Sequence, residues 1–296
     1  MHLLKHKFFI LCTISAVLLS GCTAVDEMTS NISSSIQSGI NSVSDSINGN
    51  GGRNATSANN LNDFRTWLNT SSTMKSHTLN GLALSSFRAE ESAINGLYVL
   101  IHPTTGKRSA FITSDLNYYK DFSGWVDLSN NGFQEIKNQS LTRNLMQRYV
   151  ISNLDLSQTM SYQFGNNRAT AILFSGVDCP SSKSFENYLK NNGQEFGGTM
   201  YIMPMALQAR NEQNIQNIIC SRNPSETWQT AILSGQRVSA ANTSSCSLNR
   251  QIALRDDLKI LLTIKEYPMI YSINKNQLFS VPSNSNARKN LLRSLQ

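Results

Sequence analysis

The sequence is poor in the residues that serve metal binding and acid–base catalysis. Among its 296 residues it has 4 histidines and 19 acidic residues. Only His77 and His102 lie beyond the first 21 residues, and they are far apart, so we expect no metal cluster and no cysteine–histidine pair. No phosphate-binding glycine loop is present either. We therefore predict that the protein uses no metal and no cofactor.

Charged residues form no concentrated patch. The formal net charge is +7, and it falls to +5 if the first 21 residues, with Lys5 and Lys7, are removed. Basic residues occur singly except for small groups near Arg288–Lys289 and Arg293, and the Asp256–Asp257 pair is predicted on a solvated helix face. We predict a solvated surface and no nucleic-acid binding.

The amino terminus has the features of a lipoprotein signal peptide over residues 1–21. Two lysines precede an apolar stretch, residues 8–19, and small residues lead into Cys22. The stretch is too short to span a bilayer as a mature helix, and the small residues suit cleavage followed by lipid attachment at Cys22. Thr23 fits the rule for outer-membrane lipoproteins, so we predict a lipoprotein facing the periplasm, with an ordinary signal peptide or a membrane anchor as alternatives.

Residues 22–60 are rich in serine, asparagine and glycine, which predicts a polar tether. Within it, aliphatic residues recur at helical spacing, compatible with a weakly self-associating helix: Ile32, Ile36, Ile40, Val43 and Ile47. The surrounding serines and asparagines are poor helix-interior residues and favour a disordered spacer.

Residues 61–132 are predicted to form a small antiparallel β domain, preceded by a short helix around Phe64 and Trp67. Two apolar runs, 96–103 and 108–113, flank a turn and indicate a hairpin, and further short strands follow. The amphipathic pattern from Phe133 to Tyr149 predicts a linker helix within residues 133–155.

Residues 156–296 alternate between strand and helix patterns. Strands are predicted at 160–164, 170–174, 198–203, 269–273 and 278–281, and helices at 181–190, 211–233, 248–264 and 286–295. This order predicts an α+β protein whose second domain has the thioredoxin fold, with a helical insert at about 205–264.

One strand run, Ala171–Asp178, ends at Cys179, which opens a helix together with Pro180. A helix amino terminus stabilises a thiolate and lowers the pKa of a cysteine placed there, whereas the charge of Asp178 opposes that effect. Ser182 stands where a two-cysteine redox motif has its second cysteine. Cys179 is either a reactive thiol or an inert buried cysteine that remains after loss of activity.

The chain resembles the DsbC/DsbG disulfide isomerases over most of its length from about residue 90. The features that carry the resemblance are Lys120–Gly124 in the β domain, the helix Phe133–Tyr149, the strand Phe174–Cys179, the cysteines Cys220 and Cys246, and Tyr267–Pro268. The resemblance implies a dimerisation domain and a homodimer, a structural disulfide between Cys220 and Cys246, and a cis-proline at Pro268 that shapes the substrate groove.

Two residues depart from the family pattern. Serine at position 182 cannot release a mixed disulfide, because a hydroxyl forms no S–S bond. The resemblance therefore implies a monothiol site with Cys179 as nucleophile and Ser182 as a hydrogen-bond donor to the thiolate. Tyr267, bulky where the family has a small or β-branched residue, could shield Cys179 or contact a bound peptide.

The cysteine count leaves one thiol over. With Cys12 removed in the signal peptide and Cys22 lipidated, three cysteines remain, and one stays unpaired whichever pair forms. We expect either a DsbC-like isomerase-related lipoprotein acting on cysteine-containing envelope proteins, or a redox-inactive binding or assembly module, as in a secretion or conjugation system.

Overall fold

The computed structural model describes residues 22–23, 58, 60–129, 132–239 and 246–296. The predicted signal peptide, almost all of the predicted tether and its aliphatic repeat lie outside these residues. No helix in the described ranges is long and apolar enough to cross a bilayer.

The amino-terminal domain is an antiparallel β domain with two short helices. Its elements are α1 (Leu61–Thr70), α2 (Ser72–Ser76), β2 (Thr78–Leu79), β3 (Leu82–Ala83), β4 (Arg88–Glu91), β5 (Leu97–Ile101), β6 (Arg108–Thr113), β7 (Tyr118–Lys120), β8 (Trp125–Asp127) and β9 (Gln134–Glu135). Strands β4 to β9 form one sheet in consecutive order, each antiparallel to the next. The short strand β1 (Cys22–Thr23) lies elsewhere, paired with the second domain.

Both faces of this sheet are covered, which explains the unbroken apolar run of β5. Tyr98 and Leu100 pack with Phe64 of α1 on one face. Val99 belongs to the cluster that the sheet shares with the second domain, on the opposite face. Because successive side chains of a strand alternate between faces, a strand covered on both sides is apolar at every position.

The linker helix is shorter than predicted. Gln134 and Glu135 pair with β8 as strand β9, so helix α3 (Gln139–Leu145) begins only after Asn138, whose side-chain oxygen accepts hydrogen bonds from two amides of the first turn. A π-helical turn, Met146–Val150, continues it. The prediction of a helix starting at Phe133 was wrong because hydrogen bonding to β8 uses that segment.

The second domain contains β10 (Ser161–Gln163), β11 (Thr170–Gly176), α4 (Pro180–Asn192), β12 (Thr199–Met205), α5 (Glu212–Ile219), α6 (Pro224–Ser234), α7 (Leu248–Leu261), β13 (Glu266–Tyr267), β14 (Met269–Ser272), β15 (Gln277–Ser280) and α8 (Ser285–Ser294). The sheet order is β10-β12-β11-β14-β15, with β11 parallel to β12 and antiparallel to β14. This connectivity is that of the thioredoxin fold, so the predicted α+β fold class is confirmed.

The described part of the helical insert contains three α-helices. The helical region predicted over 211–233 consists of α5 and α6, because the chain turns at Cys220 and Pro224 occupies the first turn of the next helix. A proline is favourable at the start of a helix and disruptive in its interior. Cys220, at the end of α5, forms a disulfide with Cys246, just before α7.

A buried ion pair joins the two domains. Asp257 of α7 is fully buried and accepts hydrogen bonds from Ser92 Oγ (2.8 Å), from the Ala93 amide (2.9 Å) and from the guanidinium of Arg108 on β6. The prediction that both aspartates of this pair are solvated was therefore wrong for Asp257. Its neighbour Asp256 is more exposed and pairs with Arg255.

Lys120, at the end of β7, adds a second contact between the domains. It is buried, and its Nζ donates to Thr263 Oγ1 (3.1 Å) and to the backbone carbonyl of Asp121. Burial lowers the pKa of Lys120 to about 8. The β domain is thus fastened to the second domain by hydrogen bonds and charge as well as by apolar packing.

Candidate active site

Cys179 lies at the junction of the central strand β11 and helix α4. Its backbone is extended (φ −103°, ψ 116°), and its carbonyl accepts the first helical hydrogen bond, from the Lys183 amide (3.0 Å). Pro180 occupies the first helical turn, where its fixed φ suits a helix start. The sulfur therefore lies at the positive end of a 13-residue helix, a position that stabilises a thiolate.

The approach to Cys179 requires a glycine at the end of β11. A Cβ placed on Gly176 would lie 2.8 Å from the Cβ of Cys179, closer than carbon atoms tolerate. The Cys179 amide donates to the Gly176 carbonyl (3.1 Å), which closes a tight turn before the helix. A side chain at position 176 would displace the cysteine.

Ser182 is buried one turn into α4, and its hydroxyl oxygen accepts a hydrogen bond from the Gly176 amide (2.9 Å). The residue therefore fixes the same turn that carries Cys179. Its donation of a hydrogen bond to a Cys179 thiolate stays a prediction.

The peptide bond between Tyr267 and Pro268 is cis, as the resemblance implies. The Tyr267 carbonyl oxygen lies 3.5 Å from Cys179 Sγ. The Tyr267 side chain is buried in the same apolar cluster as Cys179. Of the two roles considered for this ring, its burial favours shielding of the sulfur.

Asp178 directs its carboxylate away from the strand–helix turn. It accepts hydrogen bonds from the Leu207 amide (2.8 Å), the Gln208 amide (3.0 Å) and Asn211 Nδ2 (2.7 Å). These three donors disperse its negative charge, and they tie the start of the helical insert to the cysteine turn.

A cavity of about 230 Å³ opens beside the cysteine turn, with Pro180, Ser184, Pro268 and Arg288 among its lining residues. Arg288 of α8 was predicted as part of a solvated basic group, which was wrong. Arg288 is buried, and its guanidinium donates hydrogen bonds to the Pro282 carbonyl (2.8 Å) and to Ser184 Oγ (3.1 Å). The amphipathic pattern of the last helix was the one sequence signal that could have placed it inward.

Cys179 is 2% exposed and is disulfide-bonded in the structure. Its partner is neither Cys220 nor Cys246, because these two bond to each other. Thiol–disulfide exchange by Cys179 requires its reduced form.

The two remaining histidines lie in local structures away from this turn. His77 stacks on Phe133 with 4.0 Å between ring centroids, and His102 accepts hydrogen bonds from the Thr104 and Thr105 amides in the β5–β6 turn. Within the described part of the chain, no group of three or more histidine, cysteine, aspartate or glutamate residues could hold a metal ion.

Comparison with known proteins finds likeness at the level of structure. No protein-family model matches the chain, and no curated protein matches its sequence. A disulfide interchange protein from Neisseria gonorrhoeae matches with a TM-score of 0.38 and 17% identity, over 48% of this chain and 99% of that one. ScsC of Proteus mirabilis, in a transitional conformation, matches with a TM-score of 0.39 and 12% identity, over 53% and 81%. A likeness at these identities and scores shows neither an activity nor site residues.

Proposed function

We propose that the protein is a DsbC-like, isomerase-related lipoprotein that exchanges disulfides of envelope proteins through the single thiol of Cys179. The observation that supports this most directly is the position of the sulfur. It lies at the amino terminus of α4, 3.5 Å from the carbonyl of Tyr267, the residue before cis-Pro268.

The exchange needs no net oxidant or reductant. The Cys179 thiolate attacks one sulfur of a substrate disulfide, forms a mixed disulfide, and releases the other substrate sulfur as a thiolate. A substrate thiolate then attacks the mixed disulfide, forms a new substrate disulfide, and restores the Cys179 thiolate. Ser182 cannot perform this release, so the substrate itself must supply the second thiol.

A direct test is the alkylation of Cys179 in the chain lacking residues 1–21, with Cys22→Ser, after reduction and removal of the reductant. We expect a midpoint of the iodoacetamide rate below about 8.5, the ordinary pKa of a cysteine. Cys179→Ala is the control for labelling elsewhere. A rate that rises only at high pH, or no labelling in the folded state, would count against the proposal.

A second variant separates the monothiol site from a dithiol site. Ser182→Cys restores a Cys-x-x-Cys sequence at a position already next to the turn. We therefore expect this variant to reduce insulin disulfides in the presence of an added thiol reductant that regenerates it. The parent should rearrange scrambled disulfides without net reduction. Equal behaviour of the two chains would argue against Cys179 as the exchanging thiol.

The second candidate function is a redox-inactive binding or assembly module, and the 2% exposure of Cys179 favours it. A Cys179→Ala strain distinguishes the two functions. Loss of the cellular phenotype supports exchange chemistry, whereas an unchanged phenotype supports a binding role in an envelope assembly.

The proposed location is the outer membrane, facing the periplasm, with lipid on Cys22. Cys22→Ser should abolish palmitate labelling and release the protein from the membrane fraction. The proposed homodimer is tested by light scattering on the chain from residue 22, where a monomer mass would overturn it.

A further inference from the structure

A buried cation without an acidic partner forms part of the wall of the cavity beside the cysteine turn. Arg288 is 7% exposed. Its Nε donates to the Pro282 carbonyl (2.8 Å), and its Nη1 donates to Ser184 Oγ (3.1 Å) and to the Ser184 carbonyl (3.3 Å). Within the described part of the chain, Arg288 forms no ion pair and its Nη2 has no hydrogen-bond partner. The two N–H donors of Nη2 therefore remain for a bound molecule.

Two aromatic rings lie close to the same guanidinium. Its Cζ is 5.8 Å from the ring centroids of Phe185 and of Tyr188. Burial of a cation costs free energy, which neutral oxygens and ring faces offset less fully than an anion does. Burial also lowers the pKa of Arg288, the direction expected for a cation that lacks a counter-charge. An anion that reached this guanidinium would supply the charge that the described residues do not.

The cavity itself favours an anion. It measures about 230 Å³, and none of its lining residues is acidic: Pro180, Ser181, Ser184, Pro268, Val281, Ser283 and Arg288. Pro180 and Ser181 belong to the first turn of α4, and Ser283 lies just before the first turn of α8. Because the amino terminus of a helix carries a partial positive charge, two helix ends and one guanidinium bring positive potential to the same cavity.

We propose that Arg288 is a specificity-determining residue, which binds a carboxylate of the client, an aspartate or glutamate side chain close to the client's disulfide. A guanidinium pairs with a carboxylate through charge-assisted hydrogen bonds, and the cavity is below the usual size of a drug-sized pocket, which leaves room for one side chain. Pro180 lines the cavity and follows Cys179 directly, so the bound side chain belongs to a client segment beside the sulfur. The inference rests on the proposed function, because it names the clients with which Cys179 exchanges.

The test measures binding without exchange chemistry. The protein is the chain lacking residues 1–21, with Cys22→Ser and Cys179→Ala. The probes are two peptides with serine in place of cysteine, acetyl-Glu-Ala-Ser-Ala-Glu-amide and the same peptide with glutamine at both ends. In calorimetric titration we expect the glutamate peptide to have a dissociation constant about tenfold lower, because it alone offers a carboxylate to Arg288. Equal dissociation constants, or no binding of either peptide, overturn the inference.

Two arginines of α8 provide a matched pair of variants. Arg288→Gln removes the cation of the cavity and should abolish the preference for the glutamate peptide. Arg293→Gln removes a more exposed cation of the same helix, which pairs with Glu195, and should leave the preference unchanged. The two variants have the same net charge, so a preference that both lose, or that both retain, overturns the role of Arg288.

A second pair of variants keeps the buried arginine and does not depend on the folding of Arg288→Gln. Ser283→Glu adds a carboxylate at an exposed position in the wall of the cavity, where it should pair with Arg288 and abolish the preference. Ser285→Glu adds the same charge at an exposed position that does not line the cavity, and it should preserve the preference. Equal preferences in these two variants contradict a carboxylate site at Arg288.

The binding result and the alkylation of Cys179 together separate this inference from the proposed function. Preferential binding of the glutamate peptide, together with an ordinary thiol midpoint for Cys179, overturns the proposed function and leaves the carboxylate site supported. A lowered midpoint, together with equal binding of the two peptides, overturns the carboxylate site and leaves the exchange chemistry supported.

Discussion

The two faces of the thioredoxin sheet are stabilised in different ways. On one face, Ile172 and Phe174 of β11 pack in the cluster that contains Cys179 and the β domain. On the other, Ala171 and Leu173 pack against α4 and the helical insert. Among the described residues, one carboxylate on each side is fully buried, and only the first of these two has a cation as its partner.

The first carboxylate, Asp257, connects two domains through Arg108. The second, Glu186 of α4, lies within one domain and accepts hydrogen bonds from Tyr162 Oη (2.9 Å) and Trp228 Nε1 (3.0 Å). Burial raises the pKa of both carboxyl groups, and the hydrogen-bond donors around each oppose that rise. The contact between the domains thus depends on charge, whereas the contact of α4 with the sheet and the insert depends on neutral donors, and a disulfide crosslinks the insert itself.

The largest expected effect comes from breaking the charged contact. Asp257→Ala leaves the Arg108 guanidinium poorly solvated and unpaired, which should lower the free energy of unfolding by about 3 kcal/mol. Urea denaturation measures this value. Asp256→Ala, which removes the more exposed neighbour, is the matched control with an expected loss below about 1 kcal/mol. Equal losses of unfolding free energy in the two variants would show that the buried ion pair stabilises the protein no more than the exposed one.

The second effect comes from the disulfide on the opposite face. Cys220 and Cys246 are 26 positions apart, and a crosslink of that span contributes about 3 kcal/mol by restricting the unfolded chain. The double variant Cys220→Ser/Cys246→Ser should lose about that much in chemical denaturation, under conditions where Asp257→Ala still has its full effect. Strongly non-additive losses would contradict the independence of the two faces.

The third effect concerns the neutral donors. Glu186→Ala leaves the Tyr162 hydroxyl and the Trp228 indole N–H without their acceptor, which should cost about 2 kcal/mol. Glu186→Gln keeps an amide oxygen as an acceptor and should cost about 1 kcal/mol or less. A glutamine variant as unstable as the alanine variant would show that Glu186 acts through its charge.

The smallest effect is a dependence on pH. Because the pKa of Glu186 is raised in the folded state, its contribution is fully present below the unfolded pKa and is lost as pH rises through the folded value. The stability of the parent relative to Glu186→Gln should therefore fall as pH increases above about 4.5. Denaturation of both chains across a pH series measures the difference, and an opposite slope would refute the assignment.

The local residue pattern was sufficient to predict strands β5 and β11 and the turn that carries Cys179. The apolar runs at 97–101 and 170–174 form β5 and most of β11, and Cys179 followed by Pro180 begins a helix. These elements depend on residues close together in sequence, so composition and spacing are enough to predict them.

Contacts between residues far apart in the sequence could not be predicted from local pattern. Asp257 and its neighbour have the same chemistry, and only the rotation of α7 and the position of Arg108, 149 residues away, decide which aspartate is buried. Arg288 is similar, since its buried contacts come from Ser184, 104 residues earlier in the chain. Pairing of β1 with β13 likewise joins residues at opposite ends of the sequence.

The position of β11 has a consequence for amide exchange. This strand is paired on both sides, buried along almost all of its length, and ends three residues before Cys179. Its amides should be among the last to exchange with deuterium, whereas those of the two-residue strand β13, outside the five-stranded sheet, should exchange earlier. The sulfur would then be carried by the most persistent part of the domain and lie next to one of its most transient parts, so that the backbone around cis-Pro268 could open without loosening the strand that holds the cysteine turn.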